Sequence, residues 1–162
     1  MKKIGFLALM LVFGTNCVGQ TLTIANLPLG ATWTVPTLSS SVTTAGKDYV
    51  VYGETSVVAQ TTLMINALLF WTVNVQLSTT TNWNPRLKVY VVRTGNGTGG
   101  AILNGGTTYK EVTTTTQAFF SGSLGLNYAR DNVPVQYKIE GMSVMLPAKT
   151  YTTTIVYTVS GI

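Results

Sequence analysis

The residues able to do chemistry in this chain are few. There is no histidine, one cysteine, Cys17, and five carboxylates: Asp48, Glu54, Glu111, Asp131 and Glu140. Without histidine the commonest general base and metal ligand is missing, and no Ser-His-Asp or Cys-His arrangement can form. Beyond residue 17 there is no thiol to act as nucleophile or as thiolate ligand. Glycoside hydrolysis needs only two carboxyl groups facing each other across a sugar. Asp48 and Glu54 could approach across one strand, and Asp131 and Glu140 could share a sheet end. Nothing else marks either pair as a site, so they read as separate, solvated carboxylates. Nor does the chain carry an EF-hand loop, a phosphate-binding glycine loop or zinc-ligand spacing. The expectation is a non-enzyme with no catalytic residue, no cofactor and no metal.

The basic residues beyond residue 19 (Lys47, Arg86, Lys88, Arg93, Lys110, Arg130, Lys138 and Lys149) are scattered along the chain. Nucleic-acid binders gather such residues on one face or in one run, so no nucleic-acid partner is expected. Aromatic side chains are the remaining candidates for binding. Trp71 falls on the apolar parity of a strong strand and reads as core. Trp83 lies in a polar turn over residues 78–85 and is the candidate glycan contact. Asn96-Gly97-Thr98 matches a glycosylation sequon, but Asn-Gly is also the strongest hairpin dipeptide, and the turn is the preferred reading.

The elements around these residues alternate with period 2. Trp71, Val73, Val75 and Leu77 share one face, with Thr72, Asn74 and Gln76 on the other. Leu87, Val89 and Val91 are set inward against Arg86, Lys88 and Tyr90. Val135, Tyr137 and Ile139 are set inward against Gln136, Lys138 and Glu140. Shorter strands are predicted at 21–26, 31–35, 49–52, 56–61, 101–103, 109–116 and 117–121. A Gly53-Glu54 turn separates the third and fourth of these, and Asn96-Gly97 and Asn104-Gly105-Gly106 make hairpins. The helix-like patch at 62–70 is short and runs into a strand, so it reads as strand or turn. Many short strands punctuated by Gly, Asn and Pro predict an all-β, Ig-like antiparallel β-sandwich.

The N-terminus carries Lys2 and Lys3, then an apolar run over 4–13, then small and polar residues. That order predicts a secretory signal peptide over 1–19 and a single domain over 20–162. The run is shorter than the roughly 20 residues that span a bilayer. Membrane attachment is expected only if Cys17 is lipidated, an alternative its upstream residues fit poorly. The expected location is secreted or at the cell surface, with stability coming from packing rather than disulfides.

The last stretch, residues 146–160, runs from a proline turn into Thr, Tyr, Val and Ile. Tyr151, Thr153, Ile155, Tyr157 and Val159 share one face, and the length predicts a strand paired on both edges. The Pro147-Ala148-Lys149-Thr150-Tyr151 turn before this strand resembles the ending of secreted pilin-like sandwich proteins, notably the spore coat protein U family. It is also similar to the end of the WxL cell-wall-binding domain, with Tyr157-Thr158-Val159-Ser160 at the position of that motif. The pilin-like resemblance implies a structural subunit of a bacterial surface fibre, pilus or coat that self-associates through β-strand addition. Residues 21–27, with Leu22, Ile24 and Leu27 for alternate pockets, are the candidate donor strand. Residues 151–159 are the candidate acceptor. The donor candidate also reads as the first strand of its own sandwich. The alternative function is a cell-wall or glycan-binding module acting through Trp83.

Overall fold

The computed structural model describes residues 20–25, 32–35, 44, 52–67, 69–78, 82–123, 129–143 and 145–161. Residues 1–19, which hold the predicted signal peptide and Cys17, lie outside them, as do Leu27 and Asp48. The described residues contain eleven strands and no helix. They are β1 (Thr21–Ala25), β2 (Tyr52–Thr55), β3 (Thr61–Asn66), β4 (Trp71–Leu77), β5 (Lys88–Arg93) and β6 (Thr98–Gly99). There follow β7 (Ile102–Gly105), β8 (Lys110–Val112), β9 (Gln117–Ser123), β10 (Arg130–Met142) and β11 (Ile155–Gly161). They form two antiparallel sheets. The larger runs β1-β3-β10-β5-β8, with β2 and β6 also on β10, and the smaller runs β11-β4-β9-β7. The two sheets make a β-sandwich.

The core sits between them because the period-2 patterns put their apolar faces there. Trp71, Val73 and Val75 of β4 are buried against Leu63 and Ile65 of β3, Val89 and Val91 of β5, and Val133 and Val135 of β10. Full burial of each such aliphatic side chain contributes about 1.5–3 kcal/mol. A smaller cluster of Leu87, Ile139 and Met142 closes one end. The patch at 62–70 supplies β3, so its strand reading holds.

The strand around which the larger sheet is built is β10, thirteen residues long. On one edge it pairs β3 and then β2; on the other it pairs β6 and then β5. It contains Pro134, which lacks a ladder donor. The Pro134 carbonyl accepts from the Thr94 amide at 3.0 Å, so the missing N–H points to that same edge. There residues 94–97 interrupt the run of β5 into β6, and the lost bond falls in the interruption.

Several sequence expectations are corrected. Gly53 and Glu54 lie inside β2, paired with Glu140 and Ile139, and the turn falls at Val58 and Ala59. A glycine in a strand carries no obligation to turn; here a Cβ on Gly53 would crowd the Ile139 carbonyl of the neighbouring strand at 2.7 Å. Residues 32–35 are not a strand; Trp33 instead lays its ring on Tyr137, with centroids 6.3 Å apart. Of 109–116 only Lys110–Val112 is strand. Asn96-Gly97 does not close a hairpin, since β5 and β6 both pair β10 and not each other. Gly97, at φ 62°, makes a one-residue excursion so tight that a Cβ would strike the Asp131 carbonyl. Asn104-Gly105-Gly106 carries the chain from β7 in one sheet to β8 in the other, so it is a crossover rather than a hairpin. Asp131 and Glu140 stand nine positions apart along β10, about 30 Å at the usual rise per residue, and share no sheet end.

Candidate functional site

The closing stretch is shorter and more peripheral than its pattern implied. Regular pairing begins at Ile155, and among the described residues β11 pairs β4 alone, so the expected pairing on both edges is not seen there. Before Thr154 the chain leaves the ladder and runs toward the smaller cluster. Tyr151 packs there and donates its hydroxyl to the Pro147 carbonyl at 2.8 Å. Thr153 donates to the Ser78 carbonyl at 3.4 Å. The alternation itself holds: Tyr157 is buried, Ile155 and Val159 are half-buried against the core, and Thr158 and Ser160 are exposed.

What distinguishes β11 is its outer edge. Seven consecutive pairs join it to β4 without a register shift. The strand holds no charge and no proline. Natural edge strands are usually protected by lysine, proline, a bulge or brevity. The other edges differ: β8 carries Lys110 and Glu111, β7 is four residues long and ends on Gly105 at φ 80°, and β1, uncharged and unbroken like β11, is five residues long against seven. The ladder geometry says which groups face outward. The Ser78 amide donates to the Thr154 carbonyl at 2.8 Å, while the Leu77 amide points the other way, to Thr113. Bonded pairs alternate along an antiparallel ladder, so Val156, Thr158 and Ser160 direct their backbone groups to β4. Those of Ile155, Tyr157 and Val159 point off the sheet. Among the described residues the candidate acceptor thus presents amides and carbonyls with no strand beside them, above half-buried apolar side chains.

Tyr157 pins this strand to the opposite sheet. Its hydroxyl donates to that of Tyr137 at 3.2 Å, and Tyr137 shares a 2.6 Å bond with Thr61 Oγ1. Burial pushes Tyr157 well above the ordinary phenol range, with the Tyr137 phenol adding to the shift; burial raises Tyr137 too, against the hydrogen bonds from Thr61 and Tyr157. A phenol whose folded pKa is raised supplies stability below its unfolded value near 10, and that stability drains away as pH rises further. In an alkaline titration followed by phenolate absorbance, these two tyrosines should ionise only as the fold opens, in one step with loss of the β-sheet circular dichroism. Smooth ionisation of every tyrosine before any unfolding is the contrary result. At neutral pH, Tyr137→Phe strands the Thr61 and Tyr157 hydroxyls and should cost about 1–3 kcal/mol in denaturant unfolding.

The donor candidate lies beside this edge. β1 pairs β3 antiparallel within its own chain, Leu22 opposite Ile65 and Ile24 opposite Leu63. Leu22 is half-buried on the core and Ile24 is 39% exposed. The Gln20 side-chain amide and the Phe70 carbonyl close around Gly161, bringing the start of β1 to the end of β11. Trp83 is elsewhere. Its ring packs against both apolar clusters and its indole N–H donates to the Leu87 carbonyl at 3.2 Å, so most of its surface is committed to the domain interior.

Arg93 is a residue the sequence reading left among scattered surface bases, yet it is buried. It has the inward parity of Leu87, Val89 and Val91, which was the available signal. Its guanidinium donates to the Gly105 carbonyl from Nε (3.1 Å) and from an Nη (2.8 Å). The other Nη reaches the Gly95 carbonyl (2.9 Å) and Asn96 Oδ1. It also stands 5.7 Å from the centre of the Phe120 ring. Burial, and secondarily the Arg130 charge, lower its pKa. Arg130 donates to the Ala101 carbonyl at 2.5 Å. Together these two arginines clasp residues 95–105 through neutral acceptors. Among the described residues no group of three or more acidic, histidine or cysteine side chains is placed to hold a metal.

No protein-family model, no curated protein and no solved structure matches this chain.

Proposed function

We propose that this chain is a secreted structural subunit of a bacterial surface fibre, pilus or coat, assembled by β-strand addition at the outer edge of β11. The observation that carries the reading is that edge: seven residues in unbroken register, with no charge, proline or bulge to repel a further strand. Its outward backbone groups gain partners when an extended segment of a neighbouring subunit docks. Apolar side chains at alternate positions of the incoming strand then cover Ile155 and Val159. Residues 21–27 of that neighbour have the required pattern in Leu22, Ile24 and Leu27. Donation from this segment means that β1 leaves β3, which uncovers Leu63 and Ile65, and the same segment of another subunit must restore that cover.

The purified protein beginning at Gln20 should form high-mass, heat-resistant species in gels and filaments or sheets in negative-stain images. A strictly monomeric protein at high concentration would refute the assembly. Deleting residues 20–27 should abolish it; filaments that survive the deletion would assign the donated strand to another segment.

A further inference from the structure

A cleft of about 760 Å³ opens between residues 92–96, which leave β5, and residues 107–109, which enter β8, with Gln136 of β10 beside them. That volume suits a small ligand. We propose that this cleft binds a neutral saccharide, a property independent of assembly at β11.

The chemistry of the lining carries the proposal. Gln136 is fixed at both ends of its amide: Nε2 donates to the Ser56 carbonyl at 2.8 Å, and Oε1 accepts from the Tyr109 hydroxyl at 3.1 Å. One N–H and one lone pair of that amide remain for a ligand. The Tyr109 ring, 42% exposed, is held by this bond and by Lys138, whose Nζ stands 5.3 Å from its centre. Thr107 and Thr108 add exposed hydroxyls on the same wall. Across the cleft, Arg93 grips the Gly95 carbonyl and Asn96 Oδ1. The Asn96 amide is therefore oriented with its NH2 available. An aromatic face beside pre-set amides and hydroxyls matches the C–H face and ring hydroxyls of a pyranose. Ordering these groups in advance lowers the entropic cost of binding.

Charge decides the class of sugar. The lining contains no carboxylate. Its one cation, Arg93, is buried and its guanidinium is already engaged by carbonyl and amide oxygens. The neighbouring Lys138 is ion-paired with Glu140. No exposed cation of the lining is left to select an anionic ligand, whereas a neutral polyol meets donors and acceptors throughout.

The test is an amide-resolved NMR titration of the protein beginning at Gln20 with cellotetraose and chitotetraose, and with polygalacturonate as the anionic comparison. At least one neutral oligosaccharide should shift resonances of residues 94–96, 107–109 and 136, with Kd of about 0.1–1 mM. Tyr109→Ala should weaken binding about tenfold and Thr108→Ala about threefold, both unfolding at the wild-type temperature, while Trp83→Ala leaves the affinity unchanged. Three results would overturn the proposal: no shifts at about 10 mM of either neutral sugar, shifts centred on Trp83 instead, or a preference for polygalacturonate. The wild-type shift map decides the location even if a variant fails to fold.

Discussion

Gly122→Ala is expected to lower the unfolding temperature by about 10 °C, at the severe end for a single added methyl group. Gly122 sits in β9 directly opposite Trp71 in β4. Residues opposite each other in an antiparallel pair project to the same face, and here that face is the core. The Trp71 indole lies across the space a side chain at 122 would fill, so a Cβ there would fall inside contact distance of its Cζ2 and Cε2 atoms. Trp71 is 2% exposed and edge-on to Phe120 at 6.0 Å, so its ring has no open direction in which to yield. Close-packed interiors answer such an insertion with off-rotamer side chains and backbone shifts, about 3 kcal/mol in a site this confined. The clash is testable as a coupling. Trp71 Nε1 is buried without a hydrogen-bond partner, so Trp71→Phe removes no hydrogen bond and mainly leaves space. In the double variant the alanine methyl enters that space, and the two costs should sum to less than their separate values by about 1–2 kcal/mol. Simple additivity, or a Gly122→Ala protein as stable as wild type, would show that the ring can move aside.

The Trp71–Gly122 pair marks where the sequence was readable and where it was not. That Trp71 is core followed from the parity of Val73, Val75 and Leu77, because a strand with one face on a core and one in water must alternate. The same rule correctly set Val89, Val91, Val135, Tyr137 and Ile139 inward. Extended by one step it would also have found Arg93, whose charge argued for the surface more loudly than its position argued for the core. Gly122 carried no such mark, because a glycine needed for space looks in sequence like one needed for a turn. Turn chemistry misled for a related reason. Asn96-Gly97 and Gly105-Gly106 specify positive φ, which the structure has at Gly97, Gly105 and Gly106, but a dihedral does not say which strands it joins. Strand order is a long-range property: β10 gathers β2, β3, β5 and β6 from segments far from it in sequence. The closing stretch had the stronger local pattern yet pairs a single strand among the described residues, because strand neighbours are not encoded in its own sequence. The cleft beside Tyr109 was invisible for the same reason, since it unites residues 92–96, 107–109 and 136.

That β11 ends its sheet among the described residues gives a sharp test of the proposed assembly from two adjacent positions. Val159→Pro is expected to abolish the proposed assembly while leaving subunit stability nearly unchanged, and Thr158→Pro is expected to destabilise the subunit strongly. The difference lies in where each amide points. Counting from the Ser78–Thr154 bond, the Thr158 amide is directed at Asn74 of β4, and the Val159 amide is directed away from the sheet. Proline at 158 deletes a ladder bond and forces its ring toward the partner strand, at about 3 kcal/mol. Proline at 159 removes only an outward donor, the one placement a sheet tolerates. Its cost is reduced packing of a half-buried side chain, about 1 kcal/mol. Yet that donor is one an incoming strand requires, and the pyrrolidine ring stands where that strand would lie. Thermal unfolding and sedimentation of the two variants separate the effects. Val159→Pro should melt within a few degrees of wild type and sediment as a monomer. Filaments of wild-type length from Val159→Pro would remove β11 as the acceptor. Wild-type stability of Thr158→Pro would mean that the ladder polarity is reversed, with Val159 rather than Thr158 bonded to β4. Thr158→Lys adds a control that leaves every backbone bond in place: its exposed charge should slow assembly at low salt and recover as salt screens the repulsion between neighbouring edges.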